Sequence, residues 1–291
     1  MIEIINCDSL SYMKNLHDVS IDAIITDPPY GLTHLEGEFD TLEDTPFSGG
    51  AFAGKKGGGM SWSAGQNSEV RDFLLPFFEE SYRVLKPGSF CVTFSQGRLL
   101  PGVLQALELS GFEIREQFYW RKPSALPNQQ KPTKKNSKHS IDTSRVILGP
   151  GKVIEPFVVA QKPKEGTYAQ NYSKWGVGLV DPIEATVTTW DFPSASKHEK
   201  NGISHVTVKP LPLMRKIVRA FTESGNTILD PFSGSGTTGI AALLENRNCI
   251  GIEISELFWK ESKNRLQTFL EPERSDEYLF EYGSLNGKNR S

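Results

Sequence analysis

The sequence predicts an α/β chain wound around a mostly parallel sheet. Short β-branched strands alternate with segments of helical periodicity, and a strand, glycine turn, helix and strand follow one another over residues 227–254. A length of 291 residues with 37% apolar side chains suffices for two domains or for one large domain with an insertion. The balance of 32 Lys and Arg against 35 Asp and Glu, net −3, excludes a globally basic nucleic-acid coat and leaves any such contact regional. Cys7, Cys91 and Cys249 never form a C-x-x-C pair, so neither a disulfide scaffold nor a zinc site is expected, and a reducing cytosol fits. No apolar run approaches the roughly 18 residues that span a bilayer, and residues 1–8 lack a basic-then-apolar signal pattern. A soluble, unexported protein is expected.

Ile2–Asn6 is β-branched and strand-like, residues 9–16 read as a short helix, and Ile21–Thr26 is an apolar strand. That strand must end at Asp27-Pro28-Pro29-Tyr30, where two prolines remove ladder donors. Residues 31–68 lose periodicity, with Gly49-Gly50 and Gly57-Gly58-Gly59 flanking Lys55-Lys56, and read as a mobile loop or lid. Over residues 70–85, Phe73, Leu74, Phe77, Phe78, Tyr82 and Leu85 recur at helical spacing, and Lys86-Pro87-Gly88 should close that helix. A strand over 90–94, a helix over 99–109 and strands over 113–120 and 156–160 complete a first block. Residues 161–204 lose the pattern again; polar and aromatic, with Tyr168, Tyr172, Trp175 and Trp190, they read as a separate module or insertion. Met214, Ile217, Val218 and Phe221 then form a helical stripe, with Gly225 where a cap belongs. A strand over 227–229, a turn, a helix to 245 and a strand over 249–254 follow, and the charged residues from 271 onward read as a partly frayed tail.

Chemistry concentrates at two turns. In Asp230-Pro231-Phe232-Ser233-Gly234-Ser235-Gly236-Thr237-Thr238 the glycines let backbone approach a ligand closely, and Glu253, after the next strand, can accept ribose hydroxyls. The turn lacks the lysine of a phosphate loop, and Asp230 would repel phosphate, so a cationic, phosphate-free nucleoside suits it better. Glycines that merely tighten a β–α turn are the alternative. Asp27-Pro28-Pro29-Tyr30 is sharper, since a chance match in this length is on the order of one in a thousand. Its bland reading is a strand-ending turn. Functionally, Pro28 and Pro29 fix an extended backbone beside a carboxylate and an aromatic face. An exocyclic amino group is a poor nucleophile because its lone pair is delocalised into the ring. Asp27 Oδ and the Pro28 carbonyl could accept its hydrogens and favour the pyramidal form, while Tyr30 stacks on the base for in-line attack.

With these motifs the chain resembles the β-order amino-group DNA methyltransferases, in which a D-P-P-Y half comes first, target recognition lies in the middle, and D-P-F-x-G-S-G-T-T comes last. Asn6-Cys7-Asp8-Ser9, His205-Val206-Thr207-Val208-Lys209-Pro210 and Gly251-Ile252-Glu253 resemble further family motifs, with Cys7 in place of a glycine and Val206 in place of a proline. The resemblance implies a Rossmann-like S-adenosylmethionine-dependent fold: a circularly permuted seven-stranded sheet, mostly parallel with one antiparallel strand, and helices on both faces. It implies a catalytic half over 1–160, a recognition region over 161–204, a cofactor half over 205–270 and a tail over 271–291.

It gives Asp8 a contact to the cofactor's adenine, and Asp230, Phe232, Gly234 and Gly236 the methionine side, with Ser235 and Thr237 in the same turn. Thr207 and Lys209 form a supporting wall, and Glu253 holds the ribose. S-adenosylmethionine would be consumed, S-adenosylhomocysteine released, and no metal used. Double-stranded DNA is the implied substrate, with the target base rotated out of the stack. Residues 121–145 carry Arg121, Lys122, Lys131, Lys134, Lys135, Lys138 and Arg145 against Asp142 alone, a candidate phosphate contact whose alternative is a solvated loop. Asp at the first motif position is more usual for N6-adenine and Ser for N4-cytosine, which remains the alternative. Methylation of protein glutamine or RNA normally accompanies the opposite order of halves. A catalytically inactive DNA- or nucleoside-binding protein is the reading from another class. A homodimer, a cognate restriction endonuclease, no membrane partner, and the cytoplasm of a prokaryotic or phage-infected cell complete the expectations.

Replacing Lys134 and Lys135 with alanine should weaken DNA binding alike across sequences and reduce its salt slope by about two. An unchanged slope in fluorescence anisotropy would remove that patch.

Overall fold

The computed structural model describes residues 1–29, 66–123, 151, 153–200, 202–205 and 207–270. The expected loop over 31–65, most of the basic stretch and the tail from 271 lie outside the described residues.

Among the described residues the strands are β1 (Ile2–Asn6), β2 (Ile21–Thr26), β3 (Leu85–Phe94), β4 (Glu113–Arg121), β5 (Ile154–Gln161), β6 (Thr189–Asp191), β7 (Thr227–Asp230) and β8 (Asn248–Glu253). They form one sheet in the order β1-β8-β7-β2-β3-β5-β4-β6. Only β5 runs antiparallel to its neighbours. The sheet thus has eight strands among the described residues rather than the implied seven. The eighth is β6, three residues from the 161–204 segment that pair with residues 119–121 and bury Trp190.

Helices α1 (Ser9–Met13), α2 (Gln66–Val84) and α3 (Leu100–Leu109) pack on one face; α5 (Leu211–Phe221), α6 (Thr237–Leu244) and α7 (Glu256–Leu270) pack on the other, and α4 is Tyr168–Trp175. Both faces are covered, which is why the central strands read as nearly continuous apolar runs. Strand alternation divides the core: Phe90, Val92, Phe94, Phe157 and Val159 point towards α5–α7, while Cys91, Val158 and Ala160 point towards α1–α3. On the first of these faces Phe157 is the hub of an aromatic cluster, with ring centroids 5.3 Å from Phe94, 5.4 Å from Phe118 and 5.4 Å from Trp190.

Three local expectations change. Residues 66–68, expected to close the irregular stretch, open α2. Lys86-Pro87-Gly88 does not follow α2 as a stop but lies within β3, because fully buried Leu85 already pairs with Ile21. Gly225 does not cap α5: Thr222 does, its N–H returning to the Val218 carbonyl, and Gly225 instead bonds the Asn246 carbonyl ahead of β7. No described helix is long and apolar enough to cross a membrane.

Truncating fully buried Phe157 to alanine should lower the unfolding free energy by about 3–5 kcal/mol in urea titrations. A loss below about 1 kcal/mol would mean that the aromatic cluster repacks around the gap.

Candidate active site

Strands β2 and β7 are neighbours at the centre of the sheet. The chain leaves β2 through α2 on one face and leaves β7 through α6 on the other. A crevice must therefore open at their carboxyl ends, the place where wound sheets bind ligands. Asp27-Pro28-Pro29 leaves β2 at this point, and the Asp230 turn leaves β7. Thr26 Oγ1 donates to Asp230 Oδ1 at 2.7 Å, and the Phe232 N–H donates to the same oxygen at 3.2 Å. One cleft is lined by Asp27, Thr207, Lys209, Asp230, Phe232, Gly234, Ser235 and Thr237 of the expected set. It is also lined by His205, Met214, Ser233 and Thr238, which the motif assignment did not single out as site residues.

The glycine turn can lie close to a ligand because two residues adopt left-handed backbone, Gly234 at φ +49° and Gly236 at φ +73°. A Cβ on Gly236 would come within 2.9 Å of Ser262 Cβ, and one on Gly234 within 3.0 Å of His205 Nε2. Ser235 and Thr237 are drawn towards α7, where the Arg265 guanidinium donates to the Ser235 carbonyl at 3.0 Å and to Thr237 Oγ1 at 2.7 Å. Phe232 packs on α2, its ring centroid 4.8 Å from that of Phe77. Gly234 N–H donates to Glu253 Oε2 and Ser255 N–H to Oε1, both at 2.8 Å, and the Ile254 N–H also contributes. Through the 2.8 Å bonds each carboxylate oxygen thus accepts one backbone N–H and keeps a second acceptor position. Asp8 is exposed at the end of β1 and caps α1 by accepting from the Ser11 N–H at 2.8 Å; its neighbour Ser9 bonds the Pro231 carbonyl at 2.5 Å. Asp8 is thus next in sequence to the residue that ties α1 to the Asp230 turn, and it is not among the residues that line the cleft.

Burial dominates the electrostatics. It pushes Asp230 up to about 6, against hydrogen bonds from Thr238, Thr26 and the Phe232 N–H, and it raises Glu253 as well. His205, exposed to the same desolvation and to Lys209, falls to about 4 and is neutral at pH 7. For Lys209, burial would favour the neutral amine, but the carboxylates of Asp27 and Glu155 outweigh it and hold the ammonium above the ordinary lysine range. Lys209 donates to Asp27 Oδ2 and stands 3.0 Å from Glu155 Oε1; Lys122 Nζ is 2.9 Å from Glu155 Oε2. The result is a row of alternating charges, Asp27, Lys209, Glu155 and Lys122.

Sequence reasoning missed Glu155 because it belongs to no motif; its only signal is an acid heading an otherwise apolar strand. Lys122 and Arg121, proposed phosphate contacts, here pair with Glu155 and Asp191, the latter at 2.5 Å. Pro28 is buried and Pro29 exposed. Tyr30, Lys131, Lys134, Lys135 and Lys138 lie outside the described residues. Among the described residues no group of His, Cys, Asp and Glu is arranged to hold a metal ion.

A family model described as DNA methylase matches residues 21–264. The Type II methyltransferase M.HindIII of Haemophilus influenzae is 30% identical, the match covering 90% of this chain and 94% of that protein. The Type II methyltransferase M2.MboI of Moraxella bovis is 29% identical over 89% of this chain and 85% of its own. Among solved structures, M1.HpyAVI in complex with SAM superposes with a TM-score of 0.55 at 24% identity, covering 91% of this chain and all of that one. The cytosine-N4-specific PvuII DNA methyltransferase gives 0.61 at 19% identity, covering 91% and 86%. These two likenesses show the fold.

Asp230 yields a pH-dependent prediction. Its value rises from the usual 3.8 to about 6 on folding, so its contribution to stability is full below about pH 4 and is lost as pH rises through about 6. Asp230→Asn removes that cost. The variant should be more stable than the parent by about 1–3 kcal/mol near pH 8, with the difference vanishing near pH 4. A thermal midpoint lowered by the substitution near pH 8 would contradict the assignment.

Proposed function

The chain belongs to the N6/N4 DNA methylase family, and from that premise we propose that it transfers a methyl group from S-adenosylmethionine to N6 of adenine at a specific site in double-stranded DNA. One observation carries the reading: Asp27 and the Asp230–Gly236 turn open on one cleft at the carboxyl ends of two neighbouring strands. A nucleophile held by the first meets a methyl donor held by the second. Aspartate at the first motif position favours adenine over cytosine.

The residues fit the cofactor. Gly234 lines the cleft without a side chain, Gly236 lets the turn pack against α7, Glu253 retains an acceptor position for a ribose hydroxyl, and Asp230 and Phe232 in the cleft lining would take the methionine end. Asp8 takes the adenine in this reading. Bound there, S-adenosylmethionine supplies a methyl group on a sulfonium and leaves as S-adenosylhomocysteine. Asp27 and the Pro28 carbonyl accept the hydrogens of the target amino group, drawing its lone pair out of ring delocalisation, and Tyr30 stacks on the rotated base. Attack is direct and in line, with no covalent enzyme intermediate. Once the amino nitrogen is methylated, Asp27 stabilises its positive charge until a proton is lost. Residues 161–204 read the DNA sequence, and Lys131, Lys134, Lys135 and Lys138 of the basic stretch hold phosphates. The Type II designation of the relatives supports a cognate restriction endonuclease as partner and a cytoplasmic location.

Tritiated S-adenosylmethionine and unmethylated genomic DNA test the proposal after digestion to nucleosides. Label is expected in N6-methyladenine, and Asp27→Ala should reduce it by about 10²-fold or more. Label in N4-methylcytosine would keep the chemistry and overturn the base. Cofactor binding without label would make the chain a binding module.

A further inference from the structure

Glu155 is the second residue of β5, lies outside the lining of the cleft, and yet meets the ammonium that holds Asp27. Lys209 is almost entirely buried, 4.7 Å over the Phe94 ring, so water does little to dissipate its charge. Had it only Asp27 as counter-ion, the ammonium would bind that carboxylate alone and compete with any amino group for its lone pairs. Without Glu155, Lys122 would also be uncompensated, setting a net positive charge in the row beside a base nitrogen that becomes cationic as it is methylated. Glu155 opposes both effects. Lys122, 4.2 Å over the Trp120 ring, then balances Glu155 so that the row of four is neutral.

We propose that Glu155 is a positioning residue for methyl transfer, sharing the Lys209 ammonium so that Asp27 remains a strong acceptor for the target amino group. The inference rests on Asp27 as the catalytic carboxylate, which Asp27→Ala tests separately.

The experiment uses the full chain and compares E155Q, E155D and the double variant E155Q/K122M for kcat, KM for DNA and equilibrium binding of S-adenosylmethionine. In E155Q, which keeps the shape and loses the charge, kcat should fall about ten- to a hundredfold while cofactor binding and KM stay unchanged. E155D, which restores the charge, should recover most of the rate, and E155Q/K122M, which restores neutrality, a substantial part. Full kcat in E155Q beside an inactive Asp27→Ala would overturn the inference and leave the parent reading intact. A double variant no faster than E155Q, or a loss of kcat matched by losses in cofactor binding and thermal midpoint, would also overturn it, since either marks a packing role.

Discussion

The site depends on the parallel seam between β2 and β7. Its registered pairs are Ala23 with Ile228 and Ile24 with Leu229, joining segments some 200 residues apart. Carboxylates clamp both ends. At the base, Asp22 accepts the Thr227 N–H at 2.7 Å and pairs with Lys86 of β3 at 2.5 Å. At the top, Asp230 accepts Thr26 Oγ1. Because a slip of one residue would turn every side chain to the other face, these clamps fix where the Asp27 turn stands relative to the glycine turn. The two turns that line the cleft are thus positioned by sheet register rather than by loops alone.

That seam gathers negative charge. Asp27, Asp230 and Glu253 meet at the carboxyl ends of the strands, and burial pushes the latter two towards neutrality. An isolated protein gains nothing from such an arrangement, because buried carboxylates cost solvation and repel one another. A cationic ligand reverses the sign of the argument: desolvation that penalises the free site strengthens its attraction for a positive group. Lys209 keeps the cluster from being uniformly acidic, but as an ion already paired to two carboxylates.

What was legible in the sequence is what a local pattern encodes. Strands such as Ile21–Thr26 and the glycine turn are contiguous, so period and turn chemistry reveal them. Strand β6 was illegible because three residues carry no period; a single buried Trp190 joins it to the aromatic core. Lys86-Pro87-Gly88 misled because proline and glycine commonly end helices, whereas here the strand starts in the same step. Glu155 was invisible for a different reason. The row of charges is assembled from β2's end, β4's end, β5 and the segment before α5, and no sequence spacing links those four places. Likewise the types of Ser235 and Thr237 suit a ligand loop, but only the fold shows Arg265 beside them.

The segment 161–204 adds one more step. Tyr172 bonds Glu223, Glu184 pairs with Lys216 and Arg219 of α5, and buried Glu199 accepts the Leu211 N–H at 2.8 Å, satisfying an orphan donor at the start of α5. Leu211 follows Lys209 by two residues. The portion of the chain proposed to read sequence is therefore fastened along the helix that begins just after Lys209, whose ammonium pairs with Asp27. The two Glu184 ion pairs and the buried Glu199 cap tie that segment to α5, which begins two residues after the Lys209 ammonium paired with Asp27. Residues 161–204 and the Asp27–Lys209 pair are thus joined through the start of α5 by a short run of contacts.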